Sequence, residues 1–418
     1  MNQRRVVITG MGTVNPLGNS VEQTWEALLA GRSGIGPITR FDASHLPTQI
    51  AGEVKDFDYR DYFSGDLAKK AKRMAPFCHY AAAATREAAL QAGLETIKDK
   101  STIGISYGSG VGGLGVQHEN SLVLKDRGHR RVSPFYVPMS IGNIAAGVLS
   151  MIWGVTGPNI SLQTACASAN HAIATAFMVL RSGMAEVMIA GGSEGALIEI
   201  SIAGFGNMQA LSTRNDSPET ASRPYDTDRD GFVLSEGGAT LILEDYDHAR
   251  RRGAPILAEV LSCGMSGDAC DLVAPDPQGR GAALSMKMAL NQAGVSPGDL
   301  GYINTHGTST PVGDIAELRG IAEALGDAAD VPLVGSTKSY HGHLLGAAAG
   351  LEAVITTQAL REQVVPANLN LDTPDPELPP LQLPRETVKA SFSRALSNSF
   401  GFGGHNSSLL LGTAPQEI

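Results

Sequence analysis

The chain has 418 residues, 43% of them hydrophobic and only 18% charged, with a formal net charge of −10. That length exceeds one simple core, so one large or two fused domains are expected, and the hydrophobic share excludes a disordered chain. The acidic balance argues against nucleic acid as the main partner, and no apolar run approaches the roughly 18 residues needed to span a bilayer. The N-terminus enters a β-like run without the apolar segment of a signal peptide, so a cytoplasmic protein without membrane association is expected.

Short apolar runs at Val6 to Thr9, Thr102 to Ser106, Val187 to Ala190, Ala239 to Leu243, Ile256 to Leu261 and Ser408 to Leu411 alternate with longer Ala-rich segments. Such alternation predicts an α/β architecture with buried sheets. The run from Glu186 to Ser193 is apolar enough to be covered on both faces. Two basic clusters stand out against the acidic background. Lys69, Lys70, Lys72 and Arg73 fall in a helical stretch, and Lys125, Arg127, Arg130 and Arg131 precede Ser133-Pro134. Each reads either as a solvated face or as a landing site for an acidic partner.

The four cysteines, Cys78, Cys166, Cys263 and Cys270, show neither CxxC pairing nor zinc spacing, which predicts no disulfide framework and no metal site. Cys166 sits in Gln163-Thr-Ala-Cys-Ala-Ser168, after an apolar segment ending at Leu162 and before a helical stretch running to Leu180. A thiol at a strand-to-helix junction lies at the positive end of the helix dipole, which favours the thiolate and predicts a lowered pKa. A buried structural cysteine is the alternative reading.

Further along, Tyr302-Ile-Asn-Thr-His306-Gly-Thr-Ser-Thr310 is an apolar run ending in a histidine and a hydroxyl-rich turn. Asp314 followed by Glu317 looks like a capping box opening a helix, with Ile315, Leu318, Ile321, Ala322 and Leu325 on one face and Gly326 as C-cap. Ser336-Thr-Lys338-Ser-Tyr-His-Gly-His343 places a lysine and a histidine around a turn that opens into an apolar helix. A lysine in that apolar setting predicts burial, and a buried ammonium needs a partner; Glu352, among Leu345, Ala348, Leu351 and Ile355, is of the right kind. The Pro-rich stretch from Thr373 to Pro384 reads as loop, and Asn398-Ser-Phe400-Gly-Phe402-Gly-Gly404 follows as a glycine-rich turn.

The order Cys, His, Lys, His and Gly-Phe-Gly-Gly resembles the β-ketoacyl-[acyl carrier protein] synthases of the thiolase superfamily, most closely the type II condensing enzymes of bacterial fatty acid synthesis. The resemblance runs from Arg5-Val-Val-Ile-Thr-Gly-Met-Gly12 through Asn215 to Leu234 to the C-terminal glycine-rich loop. It implies a thiolase-like α/β fold of duplicated βαβαβαββ halves in a five-layered αβαβα core, the first half over residues 1–253 and the second over 254–418. It implies a decarboxylative Claisen condensation between an acyl chain on Cys166 and malonyl-[acyl carrier protein], without a cofactor beyond the carrier's phosphopantetheine. By the same resemblance His306 and His343 stabilise the enolate, while Lys338 orients His306 or the malonyl carboxylate. Glu352 holds the Lys338 region, with a possible monovalent cation nearby. The backbone N–H groups of Cys166 and Phe402 form the oxyanion hole, Phe402 gates the site, Thr308 and Thr310 bind pantetheine, and Val111 and Phe205 line the acyl pocket. The implied partners are an acyl carrier protein and a second copy of the chain. Two departures from the family pattern are His341, where Thr is common, and Cys270-Asp271 in Asp268-Ala-Cys-Asp271. A type I synthase, a polyketide ketosynthase and a non-enzymic chain-length factor share the fold; the intact Cys166, His306 and His343 argue against the last.

Overall fold

The computed structural model describes residues 4–415. Ten strands form one sheet: β1 (Val6–Val14), β2 (Ile103–Gly108), β3 (Asn159–Leu162), β4 (Val187–Glu194), β5 (Gly237–Asp245), β6 (Ala258–Gly267), β7 (Tyr302–Asn304), β8 (Leu333–Gly335), β9 (Arg394–Gly401) and β10 (His405–Thr413). Their spatial order is β8-β7-β9-β10-β6-β1-β5-β4-β2-β3. Each set of five repeats one topology. In the first, β2 lies parallel to β3 and β4, then β5 and β1 follow antiparallel. In the second, β7 lies parallel to β8 and β9, then β10 and β6 follow antiparallel. The sets meet where Val6–Ile8 of β1 pair with Ala258–Val260 of β6.

The helices α1 (Pro76–Ala92), α2 (Ser168–Arg181), α3 (Arg280–Ala293), α4 (Pro311–Leu325) and α5 (Ala348–Glu362) complete the layers. Outer helix α1 covers β1, β5 and β4, while α3 covers β6 and β10 and packs on α4. Central helices α2 and α5 touch each other and strands of both sets. The result is the αβαβα stack that the resemblance implied. It is held by apolar faces on both sides of the sheet: every residue of β1, β4 and β5 is buried.

Small residues set the layer spacing. The α1 face that meets the sheet is largely alanine, and a Cβ on Gly12 of β1 would lie 2.1 Å from the Ala84 carbonyl oxygen. The second half uses the same device, since a Cβ on Gly264 of β6 would lie 1.8 Å from the Ser285 oxygen of α3.

The expected helix after His306 is present, but its start differs. Thr310 is the N-cap and Pro311 the first residue, a position where the missing N–H of proline costs nothing. Asp314 and Glu317 therefore lie inside α4 and are buried; Asp314 accepts the N–H groups of Ser309, just before the cap, and of Tyr225, while Glu317 reaches back to those of His306 and Gly307. Gly326 does end the helix. Among the described residues no helix is long and apolar enough to cross a membrane.

Gly264→Ala should destabilise the fold by about 3 kcal/mol, because the new methyl meets a backbone oxygen rather than a movable side chain. A lowered urea midpoint with unchanged slope would report it; an unchanged midpoint would mean that α3 can retreat from β6.

Candidate active site

The nucleophile turn is built from the end of β3. Ala165 has φ +49°, a left-handed conformation in which a larger or branched side chain would be strained. The Ser168 hydroxyl donates to the Ala165 carbonyl at 2.6 Å and accepts from the Thr164 N–H at 2.9 Å, which fixes the turn. Cys166 is thereby held just before α2, lining a cavity of about 490 Å³. A Cβ on Gly401 would lie 2.7 Å from the Thr164 oxygen and 3.1 Å from the Cys166 nitrogen, so only glycine lets the end of β9 come this close. The approach brings the Phe402 N–H to the sulfur, alongside the N–H of Cys166 itself.

Two histidines converge on the thiol. His306 follows β7, and His343 follows the short helix Lys338–His341. The His343 Nε2 lies 3.1 Å from Cys166 Sγ, and nitrogen atoms of both rings and the sulfur all lie within 4.8 Å of one another. The two rings meet edge to face with centroids 5.3 Å apart. Burial holds both well below the usual histidine pKa, and the positive charge of Lys338 lowers them further. Both imidazoles are neutral at physiological pH. The Nδ1 atoms of both are buried without a hydrogen-bond partner among the described residues. A bare lone pair there is easier to leave unmatched than an N–H, which favours the tautomer with the proton on Nε2, facing the sulfur.

Lys338 is fully buried and paired with Glu352, as expected from sequence. Burial pushes the Glu352 carboxyl up to about 7, while Lys338 pulls it down. The lowered thiol pKa expected from the helix dipole is not found. Burial pushes Cys166 up to about 12, outweighing the downward pull of Lys338 and of the Phe402 and Cys166 N–H groups. Helix ends act within a turn and are modest in size, whereas full burial removes the solvation of a thiolate.

Aromatic contacts extend from the site along the cavity. Phe205 packs on Phe232 at 5.4 Å, Phe232 on His343 at 5.4 Å, and His306 on Phe400 at 6.0 Å. Val111 and Phe205 line the cavity, as do Thr308 and Thr310, whose hydroxyls lie 3.0 Å apart. Phe402 precedes two glycines with φ +81° and +73°, and the Gly403 N–H donates to the Leu272 carbonyl at 2.9 Å. The segment with Cys270 and Asp271 thus touches the glycine-rich turn, and Cys270 is exposed. The unusual His341 is buried, bonded to Thr337 and to the Gly342 carbonyl, and its presence lowers the pKa of His343.

Sequence reasoning takes Glu317 for a capping residue and passes over Glu194, and both are buried carboxylates that hold loops. Glu317 of α4 accepts the N–H groups of His306 and Gly307 at 2.8 and 2.7 Å, anchoring the first histidine loop. Glu194, the last residue of β4, binds backbone on two further loops. A carboxylate on an apolar helix face, or closing an otherwise apolar strand, was the available signal.

The cation suggested near Glu352 can be tested against the donor set. Glu352 Oε2, the Asn304 side-chain amide and Ser397 Oγ are buried without hydrogen-bond partners. Asn304 and Ser397 are register partners on β7 and β9, and Tyr302, two residues before Asn304, feels the Glu352 charge. These oxygens are of the hard type that suits such an ion.

Both halves of the chain match known families. Residues 3–249 match the β-ketoacyl synthase N-terminal domain, and residues 257–372 match the C-terminal domain. The 3-oxoacyl-[acyl-carrier-protein] synthase 2 of Vibrio cholerae is 48% identical over 98% of this chain and 99% of its own. The corresponding Synechocystis protein is 46% identical over 98% of each chain. Among solved structures, a β-ketoacyl synthase from Burkholderia phymatum superposes with a TM-score of 0.91 at 33% identity, over 99% of this chain and 100% of that one. A type II PKS ketosynthase, solved in complex with its acyl carrier protein, gives 0.90 at 29% identity over 99% and 100%. Matched by the two family halves from residue 3 to residue 372, and over nearly its whole length by relatives close to half identical, the chain belongs to the β-ketoacyl synthase family.

Proposed function

We propose that the protein is a 3-oxoacyl-[acyl carrier protein] synthase of fatty acid elongation, joining an acyl chain held on Cys166 to the two-carbon unit of malonyl-[acyl carrier protein]. The observation that carries this reading is the convergence of one thiol, two neutral imidazoles and two backbone N–H groups, with no carboxylate bonded to either ring among the described residues. A hydrolase of the Cys-His type needs an oriented base. Two neutral N–H donors beside a lysine suit an enolate instead.

In the first half-reaction the Cys166 sulfur attacks the acyl thioester, and the oxyanion is met by the Cys166 and Phe402 N–H groups. The C–S bond to pantetheine breaks, and the thiol proton ends on the departing pantetheine sulfur. The high thiol pKa means that deprotonation accompanies attack, with the His343 Nε2–H donating to the developing thiolate. In the second half-reaction malonyl loses its carboxylate as carbon dioxide, leaving an enolate whose oxygen accepts from His306 and His343. The enolate carbon attacks the acyl group, the Cys166 thiolate departs, and a proton from solvent restores the thiol. Thr308 and Thr310 would bond the pantetheine arm, and Val111 and Phe205 would line the acyl chain. Glu352, Asn304 and Ser397 would hold a monovalent cation beside the Lys338 pair.

The acidic carrier protein would dock on one continuous basic surface. The Arg73 guanidinium lies over the Phe135 ring at 4.7 Å, which joins the Lys69–Arg73 cluster to the segment that follows Arg130 and Arg131. The open edge of β3, near exposed Val137, Ile141 and Met151, supports pairing with a second copy. Light scattering at micromolar protein should then give a dimer, and a monomer would contradict it.

Cys166→Ala should abolish both condensation and the acyl-enzyme adduct seen by intact mass; an adduct of normal mass in this variant would remove the nucleophile assignment. Cys166→Gln should still decarboxylate malonyl-[acyl carrier protein].

In the Cys166→Gln background carbon dioxide release should stay flat as pH falls from about 8 to about 6, because lowered histidine pKa values keep the rings neutral below their usual range. Adding Lys338→Met removes a charge that lowers both pKa values, so the acid limb should move to higher pH. An acid limb that does not move would mean that Lys338 leaves the histidines unaffected.

Reversing Lys69 and Arg130 to Glu should raise KM for carrier-linked substrate while sparing a short pantetheine surrogate, since rim charges act on association. Raising salt should weaken the wild type more than the variant. Equal loss with both substrates would instead mean a disturbed fold.

A further inference from the structure

Glu194 is a buried carboxylate that the reaction above does not use, and no cation pairs with it among the described residues. Its Oε2 accepts the Gly110 N–H at 2.7 Å and the Gly346 N–H at 3.1 Å. Its Oε1 accepts the Ser109 hydroxyl at 3.1 Å and faces the Val111 N–H at 3.4 Å. The Ser109 oxygen in turn accepts the Gly112 N–H at 3.0 Å. Every nearby backbone partner is thus a donor, a set that favours the ionised carboxylate, which accepts on both oxygens and turns no O–H toward them.

The donors come from two loops in different halves of the chain. Gly110 to Gly112 follow β2 and carry Val111 on the cavity wall; Gly346 lies three residues beyond His343, next to Leu345, which also lines the cavity. The loops touch so closely that a Cβ on Gly346 would lie 2.1 Å from the Gly110 nitrogen. Leu345 has φ +48°, and its side chain packs in one apolar cluster with Val111, Phe205 and Phe232. Two loops that present N–H groups to each other have no bond to make between themselves. The carboxylate supplies the common acceptor, and charge-assisted bonds of this kind are the strong ones.

We propose that Glu194 is a positioning residue that fixes acyl-chain selectivity, by clamping the Val111 loop to the Leu345–Gly346 turn so that the far wall of the acyl cavity is set before the chain arrives. This rests on the reading that Cys166 carries an acyl chain into that cavity. A long chain that runs past Val111 meets a wall already ordered. With the clamp broken, binding a long chain must also order the loop, and that cost falls on long chains and not on short ones that stop near the thiol.

The test measures kcat/KM for acyl transfer from carrier-linked primers of four and of fourteen carbons, in the wild type, Glu194→Gln and Ser109→Ala. Glutamine keeps the shape but turns an NH₂ donor toward N–H donors, so the long-to-short ratio should fall about tenfold or more. Ser109→Ala removes one donor and the Gly112 relay while leaving the carboxylate, so its ratio should fall in the same direction by less, and it keeps the test open if Glu194→Gln does not fold. A ratio unchanged in both variants, or an equal loss for both chain lengths, overturns the proposal, because a merely structural role lowers both together. Absence of any acyl adduct in the wild type would overturn the reading of Cys166 itself and is distinguishable from either result.

Discussion

One buried positive charge organises the active site. Lys338 sits where water is excluded, within electrostatic reach of Cys166, His306, His341 and His343, and it lowers the proton affinity of all four. Coulomb interactions weaken slowly with distance in such a medium, so a single ammonium acts on several groups at once. For the histidines, burial and the lysine act in the same direction and yield neutral donors. For the thiol they oppose, and burial wins. The thiol and both imidazoles are therefore uncharged in the resting state, and the charge of the lysine itself is offset by Glu352. Charge appears only when substrate brings it, as an oxyanion or an enolate, where fixed dipoles and the lysine meet it.

The duplicated topology is what makes that convergence possible. Each half alone presents only part of the chemistry at its strand ends. The first contributes the Cys166 turn and the Gly110–Val111 loop; the second contributes both histidines, Lys338 and the Phe402 turn. Central helices α2 and α5, packed together between the two sets of strands, bring the two groups of loops to one place. Glycines then close the remaining distance: Gly401 beside the Cys166 turn, and Gly346 beside Gly110.

Much of this was legible in the sequence. The six apolar runs each fall within or overlap an observed strand, because strands buried on both faces leave an unbroken apolar signature. Lys338 and Glu352 were recognisable as a buried pair, since neither charge fits its apolar neighbours alone. Strand β8 was not legible: three residues bounded by loops carry too little pattern. The start of α4 was misread for a different reason. Asp314 and Glu317 have the spacing of a capping box, and periodicity cannot tell a residue that opens its helix from one further in that reaches back to the N–H groups of the preceding loop.

That ambiguity bears on how the site is held. Glu317 grips the His306 loop through two backbone N–H groups, and Glu194 grips the loops on either side of the cavity in the same way. Burial pushes these carboxyls up, to about 8 and about 7 even with the gathered N–H groups pulling them down, so whatever charge each carries near neutral pH depends on those groups. Loss of those bonds leaves a carboxyl that takes up a proton and no longer accepts on both oxygens. Loop position and carboxylate charge thus support each other. A loop that drifts out of place weakens the anion that holds it, so the catalytic loops have one well-defined arrangement instead of a range of nearly equal ones.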